Sequence, residues 1–270
     1  MLRELNIAET VERLTTFLRS TLSEAGFSRA VVAVSGGIDS ATALTLAAAA
    51  LGPENIFALS LPFRDWNPDG AQRTHGLLRH LQIPAAHVRE IDIAPMVEAF
   101  ERSTETVTAN AELKQLRLGN IMARARMIVL FDQAKQLSAL VVGTENRSEH
   151  YLGYYTRFGD EASDIEPLRN LYKTEVYQVA EYLGVPEEIL AAVPTAGLWP
   201  GQSDEGQFGF TYETADQILY GLYDAKRSAQ ELIAEGIDPE TIHRVQTWVA
   251  QMAFKHHLPL IAPEPVSVGK

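Results

Sequence analysis

The 270-residue chain contains no cysteine, no long apolar run and no excess of basic residues. Without cysteine it cannot form disulfides, a thiolate metal site or a cysteine nucleophile. No stretch approaches the roughly 18 consecutive apolar residues of a membrane span, and the N-terminal apolar residues are not massed as in a secretory signal. The net charge of −12 disfavours a broad nucleic-acid surface. These absences predict a soluble, cytoplasmic protein that uses non-thiol chemistry and binds neither membrane nor nucleic acid.

The first half of the chain alternates between short apolar runs and helical patterns. Apolar residues recur every three or four positions from Ile7 to Leu22, which predicts an amphipathic helix that ends at Gly26. After this helix, strands are predicted at 30–34, 56–61, 88–93 and 139–143, and helices at 38–51, 69–82 and 113–137. Strands that alternate with helices pair in parallel through right-handed crossovers. The predicted fold class is α/β, with a Rossmann-like, doubly wound parallel sheet and a helical C-terminal half.

The turn after the first strand is the most informative local motif. It has the sequence Ser35-Gly36-Gly37-Ile38-Asp39-Ser40 and lies at the carboxyl end of a buried strand, where open α/β sheets bind ligands. Glycines let the backbone approach a ligand closely, and the N–H groups of the following helix favour an anion. A carboxylate at Asp39 would repel phosphates unless a cation bridges them. The motif therefore predicts a phosphate site with a divalent metal, Mg²⁺ being the ion that suits oxygen ligands.

Two other interpretations of this turn remain open on the residues alone. One is a glycine turn that only connects a strand to a helix. The other is a serine nucleophile elbow, because Ala33-Val34-Ser35-Gly36-Gly37 is one residue away from G-x-S-x-G. The elbow would need an acidic residue and then a histidine later in the chain. The lysine of a Walker A motif is absent, which excludes an ordinary P-loop NTPase at this site.

The hexapeptide resembles the pyrophosphate loop of the ATP-pyrophosphatase (PP-loop) superfamily, whose members adenylate a substrate and release pyrophosphate. Downstream segments narrow the resemblance to the ammonia-dependent NAD synthetase family. These segments are Gly143-Thr144-Glu145-Asn146-Arg147-Ser148-Glu149, Gly153 to Asp160, Asp164-Ile165-Glu166-Pro167-Leu168, Tyr172-Lys173, Pro194 to Leu198 and Gln202-Ser203-Asp204-Glu205. Several motifs in one order are far more specific than any single motif. The resemblance extends from the first strand to about Pro259 and implies an adenine nucleotide alpha-hydrolase-like fold.

This resemblance implies a carbon–nitrogen ligase that converts nicotinic acid adenine dinucleotide (deamido-NAD), ATP and ammonia to NAD, AMP and pyrophosphate. It implies three sets of binding residues. The ATP set is Ala33, Val34, Ser35, Gly36, Gly37, Ile38, Asp39, Ser40, Thr144, Lys173 and Thr195. The metal ligands are Asp39 and Glu149, with Asp160 at a second metal. The deamido-NAD set is Arg124, Arg157, Asp164 and Lys255.

Two of these residues are also expected to take part in the chemistry. Lys173 would stabilise the negative charge that develops on the phosphates, together with Mg²⁺. Asp164 would bind ammonium or accept its proton, because the attacking nitrogen must be neutral. Arg124 and Arg126 lie on one helix about 200° apart, so at most one of them faces a given site. The family position favours Arg124 for the substrate and leaves Arg126 a structural role.

The chain departs from the family pattern at two positions. Arg157 stands where lysine is frequent, and Phe254-Lys255-His256-His257 replaces the usual His-Lys-Arg, so of this segment only Lys255 is carried over. Relatives that use glutamine carry an amidase domain with a catalytic cysteine. This chain has no cysteine, and free ammonia is the expected nitrogen source.

The resemblance also implies organisation and partners. We expect one domain over 1–270, divided into an N-terminal helix (1–25), a nucleotide-binding sheet (26–145) and substrate loops and helices (146–270). Family members are typically homodimers, and the helix 113–137, whose apolar residues fall on more than one face, is the expected interface element. Another PP-loop ligase that acts on a base or on tRNA, a non-catalytic nucleotide sensor and a serine hydrolase remain as alternatives.

Overall fold

Four parallel strands form the sheet of the computed structural model, which describes residues 2–104, 110–199, 201–256 and 259–263. The strands are β1 (Ala30–Ala33), β2 (Ile56–Ser60), β3 (Val88–Glu90) and β4 (Leu140–Val141), and their order in the sheet is β3-β2-β1-β4. Each pair of neighbours is parallel. The predicted α/β fold class is confirmed.

Twelve α-helices lie between and after the strands in the described part of the chain. They are α1 (Ile7–Glu24), α2 (Ile38–Leu51), α3 (Pro68–His80), α4 (Ala94–Thr104), α5 (Ala111–Leu137), α6 (Arg147–Leu152), α7 (Lys173–Tyr182), α8 (Glu187–Leu190), α9 (Asp204–Phe208), α10 (Tyr212–Leu219), α11 (Ala229–Ala234) and α12 (Pro239–Met252). A π-helical turn at Tyr220–Asp224 follows α10. No helix in the described ranges is long and apolar enough to cross a membrane.

The third strand is shorter than the sequence pattern predicts. Strand β3 ends at Glu90, whereas the predicted strand continues to Ile93. Backbone hydrogen bonds from the N–H groups of Ile91 and Ile93 still reach the carbonyls of Ser60 and Pro62. The carboxylate of Asp92 accepts the N–H of Ala94, which is the first residue of α4, a helix that the sequence pattern did not predict.

Both faces of the sheet are covered by helices, as a doubly wound fold requires. Ala30 and Val32 belong to an apolar cluster with α1, α2 and α7, whereas Val31 between them belongs to a second cluster with α4 and α5. Neighbouring side chains of a strand point to opposite faces, so each strand joins the two layers. This explains why β1 has no polar residue.

A third apolar cluster lies in the C-terminal half. It includes Leu152 of α6, Tyr172 at the start of α7, Phe208 at the end of α9, and residues of α10 and α12. Tyr172 is completely buried in it. The cluster therefore fixes α6 and the first turn of α7 relative to each other, next to the carboxyl ends of β1 and β4.

Candidate active site

The turn after β1 has the geometry of an anion-binding loop. Gly36 has a positive φ of +78°, which favours glycine, and Gly37 is the N-cap of α2. The Ser40 hydroxyl donates to the carbonyl of Gly37 at 3.0 Å and accepts the N–H of Ser35 at 3.2 Å. These bonds hold the loop in a shape that directs the N-terminus of α2 towards the space above the sheet, where the helix dipole favours an anion.

Helix α3 closes one side of this loop. A Cβ atom at Gly36 would collide with the backbone of Gly70, and a Cβ atom at Gly70 would lie 2.7 Å from the carbonyl oxygen of Ser35. The guanidinium Nε of Arg73 donates to the carbonyl of Gly36 at 2.9 Å. The loop and α3 thus meet backbone to backbone, and only glycine fits on either side.

A buried lysine stands at the centre of the site. The Nζ of Lys173 lies 2.5 Å from Oδ2 of Asp39 and 3.0 Å from Oε1 of Glu149, and its side chain is only 3% exposed. Burial by itself disfavours the ammonium, but the charges of Asp39 and Glu149 outweigh it and raise the pKa of Lys173. Burial, followed by the charge of Asp39, raises the pKa of Glu149. The lysine therefore stays charged and holds two carboxylates that would otherwise repel each other.

An asparagine connects the two carboxylates independently of the lysine. The side-chain amide of Asn146 donates to Oδ1 of Asp39 at 2.8 Å. Its carbonyl oxygen accepts the N–H of Glu149 at 2.9 Å and caps α6, as part of a capping box with the Glu149 side chain. Asn146 thus couples the loop after β1 to the loop after β4.

A second network positions the lysine backbone. The N–H of Lys173 donates to Oγ of Ser148 at 2.8 Å, and Ser148 bonds to the buried carboxylate of Asp216. Both the N–H and the hydroxyl of Thr174 donate to the same carboxylate. Burial raises the pKa of Asp216 to about 6. Helix α10 therefore anchors the first turn of α7 and the lysine that begins it.

A cavity of about 300 Å³ opens above this cluster, at the carboxyl ends of β1, β2 and β4. Almost all of the predicted ATP and metal residues line it: Ala33, Val34, Ser35, Gly37, Ile38, Asp39, Ser40, Thr144, Glu149, Asp160, Lys173 and Thr195. Gly36 packs against the backbone of Gly70 in α3 and is not part of the lining. The cavity lies between β1 and β4, where the strand order reverses, which is the usual ligand position in such sheets.

The four residues predicted to bind deamido-NAD lie outside this lining. Nε of Arg124 donates to the carbonyl of Arg157 at 3.2 Å, and the Arg157 guanidinium lies 5.0 Å from the ring centre of Phe254. Nζ of Lys255 donates to two backbone carbonyls of the Gly153–Tyr155 segment, at 2.6 and 2.7 Å. Arg124, Arg157 and the C-terminal segment thus converge, although His257 of that segment lies outside the described residues.

Asp164 is held by the sheet itself. Its Oδ2 accepts the N–H of Val141 in β4 at 2.8 Å. The side chain is otherwise exposed. The structure therefore places the predicted ammonium-binding carboxylate beside the end of β4, in the same loop as the cavity residues Asp160 and Ala162.

The described residues contain no group of three histidine or acidic side chains that could hold a metal by itself. Asp39 and Glu149 do converge, and their oxygens are of the type that Mg²⁺ prefers. Mg²⁺ commonly takes one or two carboxylates and completes its shell with water and substrate phosphates. Asp39 and Glu149 fit this description, whereas Asp160 lies apart from them and accepts the N–H of Thr156.

Several residues of the site were given no role from the sequence. Asp204 is buried beside Lys173, accepts the hydroxyl of Tyr212 at 3.1 Å, and has a pKa that burial raises. Arg73 and Arg126 also line the cavity. Asp204 belongs to one of the motifs that carried the family resemblance, and this was the only signal for it. Arg126, interpreted as structural, is the arginine of α5 that reaches the cavity, and Arg124 is not.

The fold and this site together identify the general class of protein. A doubly wound parallel sheet with a glycine loop at the carboxyl end of β1 and an acidic residue opening α2 belongs to the nucleotide-binding α/β proteins. The NAD synthase family model matches residues 10–259. The chain belongs to the NAD synthase family, as the motifs predicted.

Individual relatives cover nearly the whole chain. The NH(3)-dependent NAD(+) synthetase of Thermococcus kodakarensis is 42% identical over 97% of this chain and 100% of its own length. That of Fusobacterium nucleatum is 39% identical over 96% and 97%. Among solved structures, the NMN synthetase of Francisella tularensis superposes with a TM-score of 0.83 at 34% identity, covering 96% of this chain and 99% of its own. The NH3-dependent NAD synthetase of Campylobacter jejuni has a TM-score of 0.79 at 29% identity, with 96% and 100% coverage.

The contact between Gly36 and Gly70 generates a prediction with a matched control. Gly36→Ala combines an unfavourable φ with a clash, whereas Gly26→Ala has the same φ problem (+80°) in open space. We expect Gly26→Ala to lower the free energy of unfolding by about 1–2 kcal/mol and to leave ATP affinity unchanged. Gly36→Ala should cost more and weaken ATP binding at least about tenfold, since α3 must move. Urea unfolding and calorimetric titration measure both; equal effects of the two changes would contradict the role of the close contact.

Proposed function

We propose that this protein amidates nicotinic acid adenine dinucleotide with ammonia to form NAD, with ATP as co-substrate and AMP and pyrophosphate as the other products. The observation that carries the proposal is the Lys173 ammonium held between Asp39 and Glu149 beside the glycine loop. Full-length relatives named NH(3)-dependent NAD(+) synthetase support the same activity. The protein is therefore a carbon–nitrogen ligase.

The first step activates the substrate carboxylate. A carboxylate is a poor acyl donor, so its oxygen attacks the α-phosphorus of ATP, and the bond from that phosphorus to the pyrophosphate oxygen breaks. Negative charge grows on the phosphoryl and pyrophosphate oxygens. The N–H groups at the start of α2 and the Lys173 ammonium are fixed before the reaction, and fixed donors of this kind each contribute on the order of 3–4 kcal/mol. Ser35, Ser40, Thr144 and Thr195 supply hydroxyls around the same cavity.

We also propose that Mg²⁺ accompanies ATP. Asp39 and Glu149 would hold it, with phosphate oxygens and water completing the shell, and Asp160 would serve a second ion. When bound, the ion neutralises phosphate charge and orients the leaving group. Lys173 contacts the same two carboxylates. The ammonium and the ion would therefore stabilise the same site.

The second step forms the amide. Ammonia attacks the carbonyl carbon of the acyl-adenylate, the carbon–oxygen bond to AMP breaks, and one proton leaves the nitrogen. Ammonium must lose a proton before it can attack. Asp164 is our candidate for the group that binds ammonium or accepts this proton. Arg124, Arg157 and Lys255 are our candidates for the deamido-NAD contacts, because they converge beside the cavity and carry positive charge.

The decisive assay incubates the protein with ATP, Mg²⁺, ammonium and nicotinic acid adenine dinucleotide and measures NAD and pyrophosphate. Equal amounts of both support the proposal. Pyrophosphate without NAD would leave only an adenylating ligase, and no ATP dependence would leave a hydrolase. Nicotinic acid mononucleotide is tested as a second substrate, because the neighbour from Francisella tularensis is named for NMN. Preference for the mononucleotide would change the substrate and keep the chemistry.

Replacing the central lysine should abolish activity. Lys173→Met leaves Asp39, Glu149 and Asp204 without their shared cation, so we expect a 100-fold or larger loss of kcat (about 3 kcal/mol) and a decrease of about 3–5 kcal/mol in the free energy of unfolding. Lys135→Met, at an exposed position of α5, is the control and should change neither. Steady-state kinetics and urea unfolding measure both quantities. Wild-type kcat in a folded Lys173→Met protein would contradict the proposed role.

The role of Asp164 can be separated from folding. Asp164→Asn keeps an oxygen that can accept the N–H of Val141 but removes the charge. If Asp164 binds ammonium, single-turnover amide formation will need at least about tenfold more ammonium, whereas adenylate formation will be unchanged. Asp132→Asn, exposed on α5, is the matched control. An unaltered ammonium profile would remove Asp164 from the mechanism.

We also propose that residues 1–270 form a single functional domain. The proposed location is the cytoplasm, where ATP and dinucleotides are available.

We propose a homodimer in which α5 is an interface element. The exposed apolar side chains of α5 support the dimer: Leu116 is 50% and Ile128 54% exposed. Light scattering should give the mass of a dimer, and Ile128→Glu should shift it towards the monomer. Phe17→Glu, at an exposed position of α1, is the control. A wild-type monomer would contradict the dimer.

A further inference from the structure

Arg126 is a half-buried arginine that the proposed mechanism does not use. It lies on α5 and lines the cavity. Its Nε donates to the carbonyl of Leu61, just beyond β2, at 3.0 Å. A guanidinium has five N–H donors, and this is the only hydrogen bond that Arg126 makes to the described part of the chain. Its terminal amino groups therefore face the cavity with donors to spare.

The charge of Arg126 is also poorly compensated. Among the described residues no carboxylate lies within 4 Å of its guanidinium, and Asp160 is the charged group that opposes the effect of burial. Burial lowers the pKa of Arg126. The neighbouring residues of α5 that line the cavity, Met122, Met127 and Leu130, are apolar. A half-buried cation without an anionic partner loses hydration that one backbone carbonyl replaces only in part.

We infer that Arg126 binds an oxyanion of a nucleotide substrate inside the cavity, and that this ligand supplies the partner its guanidinium lacks. This inference rests on the proposed function for the identity of the substrates. A planar guanidinium with its Nη groups free matches the geometry of a phosphate or a carboxylate, to which it can donate two parallel hydrogen bonds. Such an anion is present in both substrates, as the phosphates of ATP and as the nicotinate carboxylate and diphosphate of deamido-NAD.

The position in the fold distinguishes this contact from that of Lys173. Lys173 lies between the loops that follow β1 and β4, whereas Arg126 is tied to the residue after β2. The cavity extends across all three strand ends. A ligand that spans it can meet the lysine at one end and the arginine at the other. The two cations therefore set the orientation of the substrate as well as its affinity.

Two variants and one control test the inference. Arg126→Met removes the charge, Arg126→Lys keeps the charge but not the planar fork, and Arg79→Met removes an exposed arginine of α3. Binding of ATP, inorganic pyrophosphate and deamido-NAD is measured separately by calorimetric titration, with thermal unfolding of each unliganded variant. Loss of a charge-assisted contact should weaken the cognate ligand about 10- to 100-fold in Arg126→Met and less in Arg126→Lys. Arg79→Met should bind as the wild type does.

The ligand that binds more weakly to Arg126→Met than to the wild type identifies the source of the anion. A loss for ATP alone assigns the phosphates of ATP, and a loss for deamido-NAD alone assigns the dinucleotide. Thermal unfolding separates binding from structure, because removing a half-buried charge that has no anionic partner should leave the melting temperature of the unliganded protein unchanged or raise it. A lower melting temperature with unchanged affinities would overturn the inference, as would wild-type affinities in a folded Arg126→Met protein. If Arg126→Met does not fold, Arg126→Lys decides by the same comparison.

These outcomes are independent of the proposed reaction. If the wild type binds a nucleotide through Arg126 but forms no NAD, the proposed function fails and the anion contact stands. If the wild type forms NAD and Arg126→Met binds every ligand normally, the proposed function stands and the inference fails.

Discussion

The ion pairs of Lys173 are the interaction on which the site depends. They bring together the glycine loop, through Asp39, and helix α6, through Glu149, although Asp39 and Lys173 are 134 residues apart in the chain. Two half-buried carboxylates this close would be unfavourable without a cation between them. The lysine thus makes the arrangement stable without ligands and leaves both carboxylates available near the phosphates of a nucleotide. The apolar cluster around Tyr172 and the carboxylate of Asp216 keep the lysine backbone in place.

The local parts of this arrangement could be predicted from sequence, because each is encoded within a few residues. The strand–turn–helix around Gly36 follows from a β-branched run, two glycines and a helical pattern, and the structure confirms it. Asp92 shows the limit: a strand was predicted to continue to Ile93, but β3 ends at Glu90 and the Asp92 side chain accepts the N–H of Ala94, where α4 begins. Hydrophobic periodicity carries no information about such a bond between a side chain and the backbone.

The long-range parts could not be derived from local patterns. A lysine that begins a helix is usually exposed, and only the order of the family motifs singled out Lys173. Arg124 and Arg126 of α5 show what geometry can and cannot decide. Their angular separation correctly implies that only one faces the cavity, but which one depends on how α5 is rotated against the sheet. That rotation is fixed by the packing of Met122 and Leu130 on the sheet, and Arg126 is the residue it turns inward.

The charge of the cavity explains how an acidic protein can bind polyphosphates. Its charged lining consists of four carboxylates, on Asp39, Glu149, Asp160 and Asp204, against three cations, on Arg73, Arg126 and Lys173. Such a lining attracts no free polyanion by its net charge. Directed donors at the N-terminus of α2 and the Lys173 ammonium must supply the affinity, and the proposed Mg²⁺ would turn Asp39 and Glu149 from repulsive groups into ligands. On that proposal, the surplus of carboxylates would favour ATP that arrives with its metal over free ATP.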